Sequence, residues 1–169
     1  MKRAKRSLPY LITAALSTIA GMGAGTAIWF VAHHRQSASV SASAANAEFA
    51  QIRSRFSRRP PLINMAIRQP NEAAAATAAT DPLRTFHTVI FDTRGGERIV
   101  RISVPYWLAR RYARHDGAFQ WLGELTFLDD TEFDPERIFV SLDQIERRGP
   151  GLVVDYRHKS GGQFISWVD

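Results

Sequence analysis

A long uncharged run near the N-terminus constrains this chain more than any other feature. No residue from Ser7 to Ala32 carries a charge. An α-helix rises about 1.5 Å per residue, so a run of this length can cross the roughly 30 Å hydrocarbon layer of a bilayer. Four of the six preceding residues are Lys or Arg, and positively charged flanks tend to stay in the cytoplasm. The sequence therefore predicts a single-pass membrane protein with a basic cytoplasmic N-terminus over residues 1–6, a transmembrane helix over residues 7–32 and all later residues outside the cytoplasm.

A cleaved signal peptide is the alternative interpretation of this segment. Signal peptides also begin with positive charge and an apolar run, and they end at a small-x-small site. Ala45-Asn46-Ala47 fits such a site, and cleavage near Ala47 would release a secreted domain. However, the site lies well past the apolar run, and the run is longer than is usual for a signal peptide. We therefore expect a signal anchor retained in the cell membrane, with a periplasmic domain if the cell is Gram-negative.

The predicted anchor carries small residues on one face. Ser17, Gly21 and Gly25 recur every four residues, and this spacing lets two transmembrane helices approach closely. Small residues are also common in membrane helices that do not associate. The pattern nevertheless indicates a hypothesis of self-association, or of contact with a partner helix, through the anchor.

The charge distribution argues against nucleic-acid binding. Residues 1–83 contain 10 Lys and Arg against 3 acidic residues, and residues 84–169 contain 12 against 13. The net charge of +6 therefore comes entirely from the N-terminal half, and the expected folded part has no positive excess to attract a phosphate backbone. The chain has no cysteine, which excludes thiolate catalysis and thiolate metal sites. No nucleotide-binding or cofactor-binding motif is present, so no cofactor is predicted.

Residues 33–81 have the composition of a stalk. Residues 36–47 are mostly Ser and Ala, which indicates a linker or a frayed helical extension, and residues 71–80 are again of low complexity, which indicates a second linker. Between them, residues 46–59 have apolar residues three and four positions apart and predict a short basic amphipathic helix. Its arginines indicate contact with a membrane surface or an anionic polymer: Arg53, Arg55, Arg58 and Arg59. A solvated stalk, or a helix docked on a partner subunit, is the alternative.

Residues 82–169 have the pattern of one small α+β domain. Two β-hairpins are predicted, around Arg94-Gly95-Gly96 and around Ser160-Gly161-Gly162, because alternating apolar runs flank these turns. A helix is predicted over residues 106–115, and a second one begins at the Ser141 capping box. Further strands are predicted over residues 123–128 and 137–142. We expect a small, mainly antiparallel sheet with two short helices.

The domain contains candidate site residues but no motif of known spacing. An acidic loop provides carboxylates that a hard cation such as Ca²⁺ prefers: Asp129, Asp130, Glu132 and Asp134. The loop lacks the spacing of known calcium loops, and such loops are usually only solvated. Phe119 and Trp121 lie in an unassigned segment, where exposed aromatic residues would favour contact with a protein partner. His87, His115 and His158 have no metal-ligand spacing and are interpreted as surface or edge residues.

Three functions remain open at this point. The first is a non-catalytic, membrane-tethered interaction or accessory protein, because an anchor and a stalk precede a domain without a catalytic motif. The second is a module that binds the cell envelope or an anionic surface through the basic helix. The third is an enzyme of unrecognised type that uses the acidic loop.

Overall fold

A computed structural model describes residues 35–65, 69–70, 82–94, 96–112 and 140–169. Within them, the α+β prediction is confirmed, because one mainly antiparallel sheet is combined with a few short helices. In chain order the elements are β1 (Arg35–Ser39), α1 (Ala42–Arg55), β2 (Ile63–Asn64), β3 (Gln69–Pro70), β4 (Thr85–Asp92), β5 (Arg98–Pro105), α2 (Tyr106–Tyr112), α3 (Leu142–Arg148), β6 (Gly151–Arg157) and β7 (Gln163–Val168).

The two predicted hairpins form the centre of the sheet. β4 pairs with β5, and β6 pairs with β7, each in antiparallel orientation. The hairpins join through an antiparallel β4–β7 pairing, which gives the strand order β1-β5-β4-β7-β6-β2-β3. The turns of both hairpins lie at one end of the sheet, where the Thr93 hydroxyl donates to the Ser160 hydroxyl at 3.2 Å. We call this the turn end, and the opposite end, where β1 begins, the start end.

Helices cover both faces of the sheet. On one face, Phe86, Ile90 and Phe164 belong to a buried cluster that includes Tyr106 of α2 and Ile145 of α3. On the other face, α1 packs against residues of four strands, and the buried members of this second cluster are Ala45, Phe49, Ile52, Val89, Phe91, Ile99, Leu152 and Ile165. Burying apolar side chains on both faces explains why these strands contain so many large apolar residues.

The interpretation of residues 36–47 as a linker is wrong, and the alternative of a helical extension holds only for residues 42–47, which belong to α1. Residues 35–39 form edge strand β1, which pairs antiparallel with β5 so that Arg35 lies opposite Ile102 and Ser39 opposite Arg98. Main-chain hydrogen bonds hold such a strand, and they need no apolar side chains. The Ser- and Ala-rich composition therefore gave no apolar alternation from which this strand could be predicted. The described residues of the expected stalk, 35–65 and 69–70, consequently belong to the same compact unit as the rest of the sheet.

The expected bounds of the basic helix, residues 46–59, are also wrong. The helix begins at Ala42, because the Ser41 hydroxyl caps it by accepting a hydrogen bond from the Ala44 amide at 3.3 Å. It ends at Arg55, ahead of the proline pair at positions 60 and 61. Its apolar face packs on the sheet of its own domain, so that face is not available to a membrane or to a partner.

The two later helices follow their sequence signals more closely. α2 begins directly after Pro105 and covers Tyr106–Tyr112 in the described part of the chain. The capping box at the start of α3 is confirmed, with Ser141 and Gln144 bonded reciprocally. α3 begins at Leu142. The strand predicted over residues 137–142 is therefore wrong for residues 140–142, the part of that range that the structure describes. An ion pair of 3.2 Å between Arg110 and Glu146 joins α2 to α3.

Several predicted elements lie outside the described residues. These are the transmembrane helix over residues 7–32, the second low-complexity linker over residues 71–80 and the strand over residues 123–128. Among the residues that the structure does describe, none of the helices combines the length and apolarity needed to span a bilayer.

Candidate functional site

The first candidate site is a basic depression at the C-terminal end of α1. The helix ends at Arg55 and a turn follows, which brings Arg55, Arg58 and Arg59 together; we call these three residues the arginine corner. They line a depression of about 510 Å³ together with Ser54, Phe56, Ser57 and Pro150. Its lining contains three cations and no carboxylate, so it can receive an anion without displacing an internal partner.

The three guanidinium groups of the arginine corner are available for binding. All three residues are exposed. Within the described ranges, no hydrogen bond or ion pair joins their side chains to another side chain. Arginine presents several donors in a planar fork that matches the oxygens of phosphate and carboxylate. The geometry therefore fits an oxygen-rich anion.

A buried fourth arginine adds positive charge behind the corner. Arg148 of α3 is only 3% exposed and donates to the Pro60 carbonyl oxygen, immediately after the arginine corner. Burial, and after it the neighbouring charge of Arg59, lowers the pKa of Arg148 below its ordinary value. A guanidinium remains charged in proteins all the same. The two arginines therefore repel each other, and an anion bound at the exposed Arg59 would reduce the repulsion.

Arg53 does not belong to this corner, although the sequence grouped it with the other three arginines. Its guanidinium donates to both oxygens of Asp155, at 2.8 and 2.9 Å, and to Gln163 at 3.0 Å. Gln163 in turn donates to Asn46 of α1 at 2.6 Å. Arg53 thus attaches α1 to β6 and β7, and its charge is already compensated inside the domain.

The arginine corner lies at the start end of the sheet. α1 begins at the turn end, where the Val40 amide donates to the Glu97 carbonyl at 3.0 Å. It ends beside the start end, because Arg55 lines a second cleft together with His87 and Ser103. In β5, Ser103 directly follows Ile102, which pairs with Arg35 at the beginning of β1. The chain therefore enters the domain at the same end that carries the arginine corner.

Three neighbouring side chains, one from each of three strands, line this second cleft. Ser103, His87 and Trp167 lie side by side on β5, β4 and β7, because the strand register pairs His87 with both of the others. The His87 Nδ1 atom lies 2.8 Å from the Ser103 hydroxyl, and its Nε2 atom lies 3.2 Å from a carboxylate oxygen of Asp169. The imidazole also stacks on Trp167, with ring centres 4.8 Å apart and an interplanar angle of 15°.

The cleft beside His87 has a volume of about 440 Å³ and lies between α1 and the sheet. Ile52, Val89 and Trp167 contribute apolar surface, and Arg55 contributes a positive charge. Arg101 also lines it but is held by two hydrogen bonds to Glu48, at 2.6 and 2.5 Å. The pKa of Arg101 is raised, chiefly by this hydrogen bond to Glu48. The cleft therefore has an apolar wall and two cations. Arg101 is paired with Glu48, whereas Arg55 has no side-chain partner among the described residues.

The remaining predicted site residues lie outside the described part of the chain. They are the anchor residues Ser17, Gly21 and Gly25, the aromatic residues Phe119 and Trp121, and the acidic residues Asp129, Asp130, Glu132 and Asp134. Within the described ranges, the structure contains no cluster of three His, Asp or Glu side chains that could hold a metal ion. Trp107 on α2 is the one large apolar side chain exposed there. Contact with a protein partner stays a prediction.

Sequence reasoning missed the cluster of Ser103, His87 and Asp169. These residues are far apart in the chain, and no motif of fixed spacing joins them. One signal was present, since a hairpin that pairs Asp92 with Arg98 must also pair His87 with Ser103. Asp169 gave no such signal, because its position depends on the long-range pairing of β4 with β7.

Comparison of the chain with protein-family models, curated proteins and solved structures finds no match. The geometry of these two sites is therefore the basis for assigning a function to the chain.

Proposed function

We propose that this is a membrane-tethered extracytoplasmic protein whose domain binds an anionic membrane surface through the arginine corner. The ligand class is the phosphate group of lipid headgroups. The observation that carries the proposal is the position of Arg55, Arg58 and Arg59 at the end of the sheet where β1 begins. The anchor and its orientation are those expected from the sequence.

The short connection between anchor and domain supports this proposal. Only residues 33 and 34 separate the end of the uncharged run at Ala32 from the first residue of β1, Arg35. An extended chain spans at most about 3.6 Å per residue, so the three Cα-to-Cα steps from Ala32 to Arg35 bridge at most about 11 Å. A helix that spans the bilayer would thus hold the start of β1 close to the headgroups.

Charge chemistry selects the phosphate headgroup as the ligand. Basic residues next to a membrane anchor are attracted by anionic lipids, and the attraction fades within about a Debye length of the surface. A tether raises the effective concentration of the domain at the membrane surface, so weak individual contacts would suffice. Such binding would fix the orientation of the domain on the membrane. An anionic envelope polymer would offer similar oxygens, and the experiment below separates the two sources.

Amide hydrogen exchange in nanodiscs tests the proposal. The full chain is reconstituted in discs of phosphatidylcholine alone and in discs that also contain phosphatidylglycerol. We expect amides of residues 54–59 to exchange more slowly in the anionic discs, because headgroup contacts order this turn. High salt should remove the difference by screening. The double variant Arg58→Gln/Arg59→Gln should show no difference between the two discs.

The matched control removes two charges at the turn end. Arg157 and Lys159 are exposed residues of the β6–β7 hairpin, and Arg157→Gln/Lys159→Gln should keep the lipid-dependent protection. Equal exchange of the wild-type protein in both discs would refute headgroup binding. Protection by soluble polyphosphate, but not by phosphatidylglycerol, would also refute it and would favour an envelope polymer.

A further inference from the structure

We infer that Ser103 is a nucleophile activated by His87, and that the cleft beside it hydrolyses small carboxylic esters by acyl transfer to Ser103. This activity does not require membrane binding, because its nucleophile and its base lie outside the arginine corner; Arg55 is the residue that lines both sites. Its basis is the Ser103–His87–Asp169 line at the mouth of a cleft of about 440 Å³.

The two hydrogen-bond partners of His87 favour one tautomer of its neutral imidazole. An ionised carboxylate only accepts hydrogen bonds, so the Nε2 atom that faces Asp169 must carry hydrogen. In the neutral imidazole the Nδ1 atom then has a free lone pair. The Ser103 hydroxyl, 2.8 Å away, donates its proton to that lone pair. Serine hydrolases use the same arrangement of hydroxyl, imidazole and carboxylate, with the two ring nitrogens exchanged.

The imidazole is also held in a fixed orientation. Stacking on Trp167 restrains the plane of the ring, and the register of β4 and β5 places Ser103 directly opposite His87. Main-chain hydrogen bonds fix residue 169, because its amide donates to the Thr85 carbonyl at 3.2 Å and its carbonyl accepts from the Thr85 amide at 3.3 Å. A base that is oriented in this way needs little reorganisation when it accepts a proton.

The reaction balances without any cofactor. The Ser103 oxygen bonds to the ester carbonyl carbon, and the hydroxyl proton passes to Nδ1 of His87. The carbon–oxygen bond to the alcohol then breaks, and the alcohol leaves with that proton. Water next attacks the acyl group on Ser103 and gives its proton to His87, which releases the carboxylic acid and restores the serine hydroxyl.

The cleft has properties that suit this substrate class. Ile52 and Val89 offer apolar surface to a small acyl group, and Arg55 lines the same space. Negative charge develops on the carbonyl oxygen during the attack, and a nearby cation stabilises such charge. Ser103 is only half-buried, so a substrate in the cleft can reach its hydroxyl.

Labelling with a fluorophosphonate tests the inference, because this reagent forms a covalent adduct with activated serines. The detergent-solubilised full chain is incubated with the reagent, and the modified residue is located by peptide mass mapping. We expect a single adduct on Ser103 and slow hydrolysis of 4-nitrophenyl acetate. Ser103→Ala should abolish both signals, and His87→Gln should slow labelling at least about tenfold, since a positioned base contributes about 100-fold or more.

Two further variants keep the test decisive. Ser43 is exposed on α1, and Ser43→Ala should label like the wild-type protein. Asp169→Asn changes a side chain that is 60% exposed, so the fold should persist while labelling slows, even if His87→Gln does not fold. Absence of an adduct on folded wild-type protein would overturn the inference. Unchanged labelling of Ser103 in Asp169→Asn and in folded His87→Gln would overturn it as well.

Discussion

Replacing Phe49 by alanine is expected to lower the free energy of unfolding by about 3–5 kcal/mol, the usual cost of removing a buried phenylalanine ring. The Phe49 side chain is completely buried and contributes to the cluster between α1 and the sheet. Its removal would leave a cavity in this cluster, which also contains Phe91 and Ile165, and the strands cannot close the cavity without moving. Urea unfolding of the full chain in detergent, followed by circular dichroism, measures the change.

Trp107→Ala is the control for this prediction. Trp107 is also aromatic and lies on a helix, but 65% of its surface is exposed, so its replacement should change the free energy of unfolding by less than about 0.5 kcal/mol. If α1 were a stalk helix apart from the domain, Phe49→Ala would cost no more than Trp107→Ala. That result would contradict the packing of α1 described above.

The contrast between the hairpins and β1 explains which parts of the fold the sequence predicts. In the β4–β5 hairpin, the turn and the alternation of Val100, Ile102 and Val104 lie within a short stretch, so local pattern is sufficient. Strand β1 has no such pattern, because its exposed edge needs only main-chain pairing with β5. Low complexity therefore indicated a linker where the structure has a strand.

The two sites differ in the same way. The arginine corner is contiguous in sequence, and the cluster of Arg55, Arg58 and Arg59 was visible as a charged segment. The sequence alone did not predict the ion pair between Arg53 and Asp155, because Asp155 is about a hundred positions away in the chain. This pair separates Arg53 from the other three arginines. The His87 site combines three separate strands, so its chemistry emerges only from the sheet topology.

Replacing Asp155 by asparagine is expected to lower the free energy of unfolding by about 1–3 kcal/mol, because it removes the charge partner of a largely buried arginine. The side chains of Arg53 and Asp155 are 28% and 24% exposed, so partial solvation keeps the cost below that of a fully buried pair. Chemical unfolding of the full chain measures it. Glu97→Gln is the control, since Glu97 is an exposed acid at the turn end and its replacement should be nearly neutral.

The same substitution has a consequence for anion binding. Arg53 lies on α1 just before the arginine corner, and without the carboxylate of Asp155 its charge would add to that of Arg55, Arg58 and Arg59. Inorganic phosphate should therefore raise the melting temperature of Asp155→Asn more than that of Glu97→Gln at equal ionic strength, because a ligand that binds the native state stabilises it. Equal stability and equal phosphate response in the two variants would mean that the Arg53–Asp155 pair neither fastens α1 nor limits the charge of the corner. Lower stability with a larger phosphate response would mean that the Arg53–Asp155 pair has both roles. It would hold α1 on the sheet, and it would keep the charge of Arg53 from adding to that of the arginine corner.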